Sequence, residues 1–305
     1  MALRNPVFNN QAFQDPRAAA TYPGNAQQRF GAPTQAASAS GQAVDVALNS
    51  QLEGIYAAPP AGAIETDRMT VEDTVWKTAG LFAILLVTAV VGWVWTLGGT
   101  QLTPTSSVTM APMLIGALGG FVLAMVITFT SRKKVRPALI FAYAALEGLF
   151  VGGISAFFEI MYPGIVMQAT LATLSVVGVT LALFASGKVR ASKKMTKIVM
   201  IAMLGYLVFS LVNVVLMWTN VLPEGQAFGL LSAKIFGIPL GLIIGVLVVL
   251  MAAYSLVLDF DQIQQGVRNG APRQFGWMGA FGIMVTVVWL YVEILRIIAI
   301  ARGSD

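Results

Sequence analysis

The chain has 305 residues, of which 57% are hydrophobic and 11% charged, with a mean hydropathy of +0.76. An ordinary soluble domain is about a quarter charged, so this composition indicates a polytopic membrane protein. The absence of cysteine and histidine excludes disulfides, thiol nucleophiles, haem ligation, the usual zinc sites and Ser-His hydrolysis, and the net charge of +5 follows the membrane rather than a nucleic acid.

Residues 1–72 are rich in Ala, Gln, Asn, Pro, Ser and Gly and show no helical apolar stripe, which predicts a disordered tail. The basic-then-apolar pattern of a secretory signal is missing from MALRNPVFNNQAFQDP, so the tail is expected to stay cytoplasmic. The pieces NPVF, AFQDP and EGIYAAPP read as solvated linker, and no role is assigned to them.

From Val75 onward, seven apolar segments reach the roughly twenty residues that cross a bilayer. They run about Val75–Leu97, Pro112–Phe129, Ala138–Met161, Ile165–Ala185, Ile198–Trp218, Ile238–Leu258 and Trp277–Ile300. Alternate joins are basic: Arg132, Lys133, Lys134 and Arg136 after the second span, Lys188 to Lys197 after the fourth, Arg268 and Arg273 after the sixth. The positive-inside bias therefore predicts a cytoplasmic N-terminus and an external C-terminus. Trp76 and Trp277 fall at inner ends and Trp93, Trp95 and Trp218 at outer ends, as interfacial rings do; Trp289 does not fit that belt. The runs GALGG from Gly116 and GLFVGG from Gly148 predict close helix packing. They are not phosphate loops, because no Lys-Ser/Thr follows.

Carboxylates at membrane depth are costly and mark candidate functional sites. Glu147 lies near the middle of the third span, either as a helix-pairing residue or on an ion path. Glu159 sits near the outer end of the same span. Asp259 closes the sixth span, flanked by Leu258 and Phe260, and is the favoured buried acid. Asp261, two residues on and on another helix face, is expected at the solvated cytoplasmic rim. Glu293 and Arg296 are three apart on the last span and share a face. They form a self-neutralised couple, or Arg296 is an outer latch that bridges to another helix, with Glu159 as the candidate partner.

EGLFVGGIS in the third span, YPGIVMQATLATLSVVGVTLALFASGKVR through the fourth and SLVLDFDQI closing the sixth together resemble the Bax-inhibitor or TMBIM family, which includes the bacterial YccA-like proteins. The resemblance is read over the membrane portion from about Val75, and the long tail and the LDFDQI variant point to a bacterial branch. It implies an all-α fold of seven transmembrane helices with the last helix surrounded by the other six. It also implies a pH-sensitive calcium leak gated by aspartates on the sixth and seventh helices, with a basic latch at the end of the second. On that pattern Asp259 is the sixth-helix aspartate and a weak calcium contact, and Arg132 is the latch. The seventh-helix aspartate is missing: one register puts Thr286 in its place and another puts Glu293 there. The Thr286 register is preferred because it also matches Gly279 and Ala280.

Calcium takes about six to eight oxygen ligands, and the spans offer few carboxylates, which suits transient passage better than tight storage. The expected partners are the lipid bilayer and calcium as the permeating ion, with no cofactor, no nucleic acid and no enzymatic activity. The alternative is a membrane-embedded modulator of proteolysis or stress signalling that works through membrane protein partners and conducts nothing. An ion-coupled transporter, with FGIPLG unwound to line a site, is a further reading. A retinal protein is excluded by the lack of a lysine in the last span, and an aspartyl protease is disfavoured because its second carboxylate is missing or displaced. The expected location is the cell membrane.

Overall fold

The computed structural model describes residues 67–98, 108–131, 134–219, 221 and 228–303. Of the tail predicted for residues 1–72, residues 1–66 lie outside the described residues, as does the latch residue Arg132; Val71 and Glu72 already belong to the first helix. Seven helices are long and apolar enough to cross a membrane: α1 Val71–Thr96, α2 Ala111–Thr130, α3 Pro137–Met161, α4 Ile165–Ala185, α5 Lys193–Trp218, α6 Leu240–Arg268 and α7 Gly276–Gly303. The protein is a multi-pass membrane protein.

Local chemistry sets the helix starts. The Thr70 hydroxyl accepts from the Asp73 N–H at 3.0 Å and Ser192 does the same for Met195 at 3.2 Å, the standard N-cap exchange. Proline stands in the first turn of α2 and of α3, where its missing N–H costs nothing. Glu159 caps α4 from outside the helix: its carboxylate accepts from the N–H groups of Gly164 at 2.6 Å and Val166 at 3.0 Å. This employs Glu159 at its own end of the bundle and removes it as the partner of Arg296.

Between α5 and α6 the chain forms a small antiparallel hairpin, β1 Lys234–Ile235 and β2 Ile238–Pro239. Its two turn residues, Phe236 and Gly237, both have positive φ, as a tight primed turn requires. FGIPLG is therefore a hairpin turn followed by the start of α6. It does not open the helix to line a site.

Half of the apolar window of α7 is buried, more than in any other span, which makes it the central helix. Its main neighbours are α1, α3, α4 and α6, while α2 lies chiefly on α3, and α5 rests on α6 and on the turn Gly229–Ser232. The expected ring of six is thus an inner four with two outer helices. Two apolar clusters grip α7 at different heights. Leu81, Leu85, Ile140, Tyr143 and Ala144 of α1 and α3 pack on its first half, from Met278 to Val288. Ile165 and Ala169 of α4 and Ala252 of α6 pack on its second half, from Leu290 to Ala299.

Glycines set the closest approaches, as GLFVGG predicted. A Cβ on Gly152 would stand 2.0 Å from the Ala89 carbonyl oxygen, and one on Gly148 would stand 1.9 Å from Thr88 Oγ1, so α1 and α3 touch through backbone. Trp76 and Trp218 are exposed, in keeping with an interfacial belt. Trp289 packs instead against the second cluster on α7, which is why its position breaks the belt pattern.

Candidate functional site on the seam of α6 and α7

Helix α6 does not stop at Leu258. It continues for ten more residues to Arg268, because DFDQIQQGVR is polar but still helical, with Gln265 Nε2 donating to Asp261 Oδ2 one turn back at 2.7 Å. Asp259 is therefore an interior helical residue, with no exposed surface. Asp261 is half-buried inside the helix rather than solvated at its end.

The antiparallel pair α6–α7 has a register fixed at several heights. A Cβ on Gly241 would meet Ile300, one on Gly245 would meet Ile297, and one on Gly279 would meet Ile263 at 2.8 Å. In that register Thr286 faces Asp259, and its hydroxyl donates to Asp259 Oδ2 at 2.6 Å. Both side chains are buried. Thr286 thus lies across the seam from Asp259, and Gly279 is needed about two turns earlier because Ile263 leaves no room for a side chain.

Seven residues further along α7, Glu293 pairs with Arg296. Glu293 is also buried, and Tyr206 of α5 donates to its Oε2 at 3.1 Å. The Arg296 guanidinium lies over the Tyr206 ring at 5.6 Å. The self-neutralised couple is the arrangement found; Tyr206 is a third member that sequence spacing could not reveal. Between the two polar levels sits apolar packing that includes Ala252 of α6 and Leu290 of α7, both buried.

Glu147 is not brought to either pair. It lies between α3 and α2, its Oε2 3.0 Å from where a Cβ of Gly120 would be, and it shares a hydrogen bond with Tyr143. The Tyr143 ring in turn meets Phe281 edge-on at 4.9 Å.

A further ionic cluster went unnoticed in the sequence. Asp73 at the start of α1 accepts from Arg273 Nε at 3.0 Å and Nη2 at 2.8 Å, and pairs with Lys77. Lys77 Nζ also donates to the Arg273 carbonyl at 2.8 Å. The Met69 N–H donates to Ala271 O at 2.7 Å, and Arg68 bridges Pro272. Together these fasten the chain from Asp67 through the start of α1 to the α6–α7 turn. The i,i+4 spacing of Asp73 and Lys77 was a legible hint; the partnership with Arg273 across the chain was not.

A protein-family model described as Bax inhibitor 1 like matches residues 5–303. The chain belongs to the Bax inhibitor 1 like family. The match starts well upstream of Val75, so the family pattern extends into the N-terminal residues as well as the helices. No curated protein and no solved structure gives a significant match. In this Bax inhibitor 1 like protein the α6–α7 seam brings the Asp259 carboxylate to the Thr286 hydroxyl. Among the described residues no group of three or more His, Cys, Asp or Glu side chains is placed to hold a metal ion. The oxygens of Asp259 and Thr286 fall short of a full calcium shell of about six to eight. A cation arriving there needs water or backbone carbonyls to complete its coordination.

Proposed function

We propose that the protein is a calcium-permeable leak of a bacterial cell membrane, modulated by pH and gated at Asp259 on the α6–α7 seam, with the basic loops in the cytoplasm. The observation that carries this reading is the placement of Asp259: a carboxylate with no exposure, inside a membrane-crossing helix, bonded to a hydroxyl of the central helix. Ionised and dry, such a group costs several kcal/mol. A proton and a cation are alternative ways of relieving that cost, and they compete for the same oxygens. Proton concentration then sets how readily a calcium ion can replace the Thr286 hydroxyl as the partner of the carboxylate.

The arrangement described is a closed one. Ala252 and Leu290 pack between the Asp259 level and the Glu293 level, so passage along this seam requires α7 to shift against α6. Arg132, from the α2 end, is the proposed latch on Asp259. Glu293 carries its own cation and serves as a fixed strut.

The test is calcium flux into liposomes holding the purified full chain, across about pH 5 to 8, for wild type, Asp259→Asn and Thr286→Asp. Flux that depends on pH, changes in Asp259→Asn and becomes more steeply pH-dependent in Thr286→Asp is expected. Flux no higher than in protein-free liposomes at every pH, from folded protein, overturns the leak. The function then passes to the partner-binding modulator, for which removal of residues 1–66 is the disabling change and Asp259→Asn is silent.

A further inference from the structure

Helix α5 touches the rest of the bundle through α6 and the turn Gly229–Ser232, and α5 and α6 do not close on each other. A groove of about 560 Å³ runs between them, lined by Met195, Ala202, Gly205, Phe209, Val248 and Met251 among others. Its α5 wall extends from Met195 to Phe209, which at about 1.5 Å per residue is roughly 21 Å. That is the length of an extended phospholipid acyl chain, and the walls along it are apolar.

The slot offers that chain nothing polar to bind. Its two hydroxyls are committed: Tyr206 donates to Glu293, and Tyr254 holds the Ser192 N–H and the Thr196 hydroxyl, each at 3.1 Å. The Tyr254 contacts also fix where the slot ends, at the first turn of α5. There Lys193, Lys194 and Lys197 are exposed, joined by Lys188 and Arg190 from the preceding loop. Arg190 Nη1 reaches Gln264 of α6 at 3.0 Å, so the cationic rim spans both walls. The nearby acid on α6, Asp261, accepts from Gln265.

Positive-inside bias accounts for lysines in this loop, but not for a hydrocarbon slot that opens among them. Basic pockets between membrane helices select anionic head groups. We infer that the α5–α6 groove is a site for an anionic phospholipid, with one acyl chain in the slot and the phosphate on Lys193, Lys194 and Lys197. Through Tyr206 the far end of the slot adjoins the Glu293–Arg296 pair, so the lipid lies against the outer polar level of α7.

Native mass spectrometry of the full chain in detergent tests this, with phosphatidylglycerol and phosphatidylcholine of matched acyl chains added in turn. Wild type should retain one phosphatidylglycerol in preference to phosphatidylcholine. In the K193Q/K194Q/K197Q variant that preference should fall about fivefold per lysine, roughly a hundredfold in all. Gly205→Phe should abolish retention with every lysine in place. A Cβ at Gly205 meets nothing within 4 Å, so the backbone accepts a side chain pointing into the slot, and helical content with a thermal melt verifies the fold of the variant. Equal retention of the two lipids overturns the inference. So does phosphatidylglycerol retention unchanged by Gly205→Phe, which would put the lipid on surface lysines alone, or a dimer that Gly205→Phe dissolves, which would make the groove an interface between copies.

Discussion

The hydrogen bond from Thr286 to Asp259 can be weighed by a double-mutant cycle, and its size reports the charge on the acid. Thr286→Val keeps the branched shape and removes the donor; Asp259→Leu keeps the bulk and removes the acceptor. A neutral interhelical hydrogen bond in a membrane protein is worth about 0.6 kcal/mol, whereas a bond to a charged group is worth about 1.5–3 kcal/mol. At 2.6 Å between buried atoms, the coupling should reach about 2 kcal/mol where Asp259 is ionised and fall toward about 0.6 kcal/mol where it is protonated. The coupling is thus larger wherever the carboxylate carries its charge. Equilibrium unfolding of wild type, both single variants and the double variant in mixed micelles, at about pH 8 and about pH 5, measures it. Coupling near zero at both would mean that the contact does not hold in the membrane. A large coupling that is the same at both would mean that Asp259 keeps one charge state throughout, and the pH gate at this residue would fail.

Three further outcomes follow from the packing. Gly152→Ala should cost about 1–3 kcal/mol, because its Cβ meets a backbone carbonyl at 2.0 Å. Gly178→Ala, with nothing within 4 Å, should gain up to about 1 kcal/mol; thermal melts side by side distinguish them, and equal melting would refute the close α1–α3 contact. Asp73→Asn strips a charged partner from the buried Lys77 and should cost about 1.5–3 kcal/mol, most of it recovered by adding Lys77→Met. Its mark is faster amide exchange at Met69, whose N–H bonds to the α6–α7 turn. Glu293→Gln leaves Arg296 in apolar surroundings and should cost about 3–5 kcal/mol, while the paired change Glu293→Leu with Arg296→Met should melt close to wild type and keep the pH response of calcium flux.

Hydropathy located all seven helices, and α4 coincides end to end with Ile165–Ala185. It misjudged α6 because hydropathy detects hydrocarbon, not helicity. The polar turns after Leu258 are held by bonds such as Gln265 to Asp261, and a span rule cannot see them. Thr286 was legible only because a family pattern supplied a register; the residue itself carries no charge to draw attention. Tyr206 was illegible for a different reason. Nothing in the α5 sequence announces that one of its rings will lie under Arg296, since that depends on how α5 rests on α6. The Asp73–Arg273 contact joins residues 200 apart, and positive-inside bias offered a sufficient reason for Arg273 without it.

The two polar levels of α7 are built to respond differently. Thr286 and Glu293 are seven residues apart, so they share a face about 10 Å apart along the axis. Glu293 has its counter-charge on the same helix, one turn away, and that pair moves with α7 as a unit whatever α6 does. The partner that α7 gives Asp259 is a dipole from across the seam, and any displacement of α7 changes that distance directly. Thr286 also lies close to where the first apolar cluster, ending at Val288, gives way to the second, beginning at Leu290. A small relative motion of the α1–α3 and α4–α6 halves is therefore felt first at the Asp259 bond and last at the Glu293 pair. That ordering makes the Asp259 bond the responsive one, although Thr286 and Glu293 lie equally far from the middle of α7.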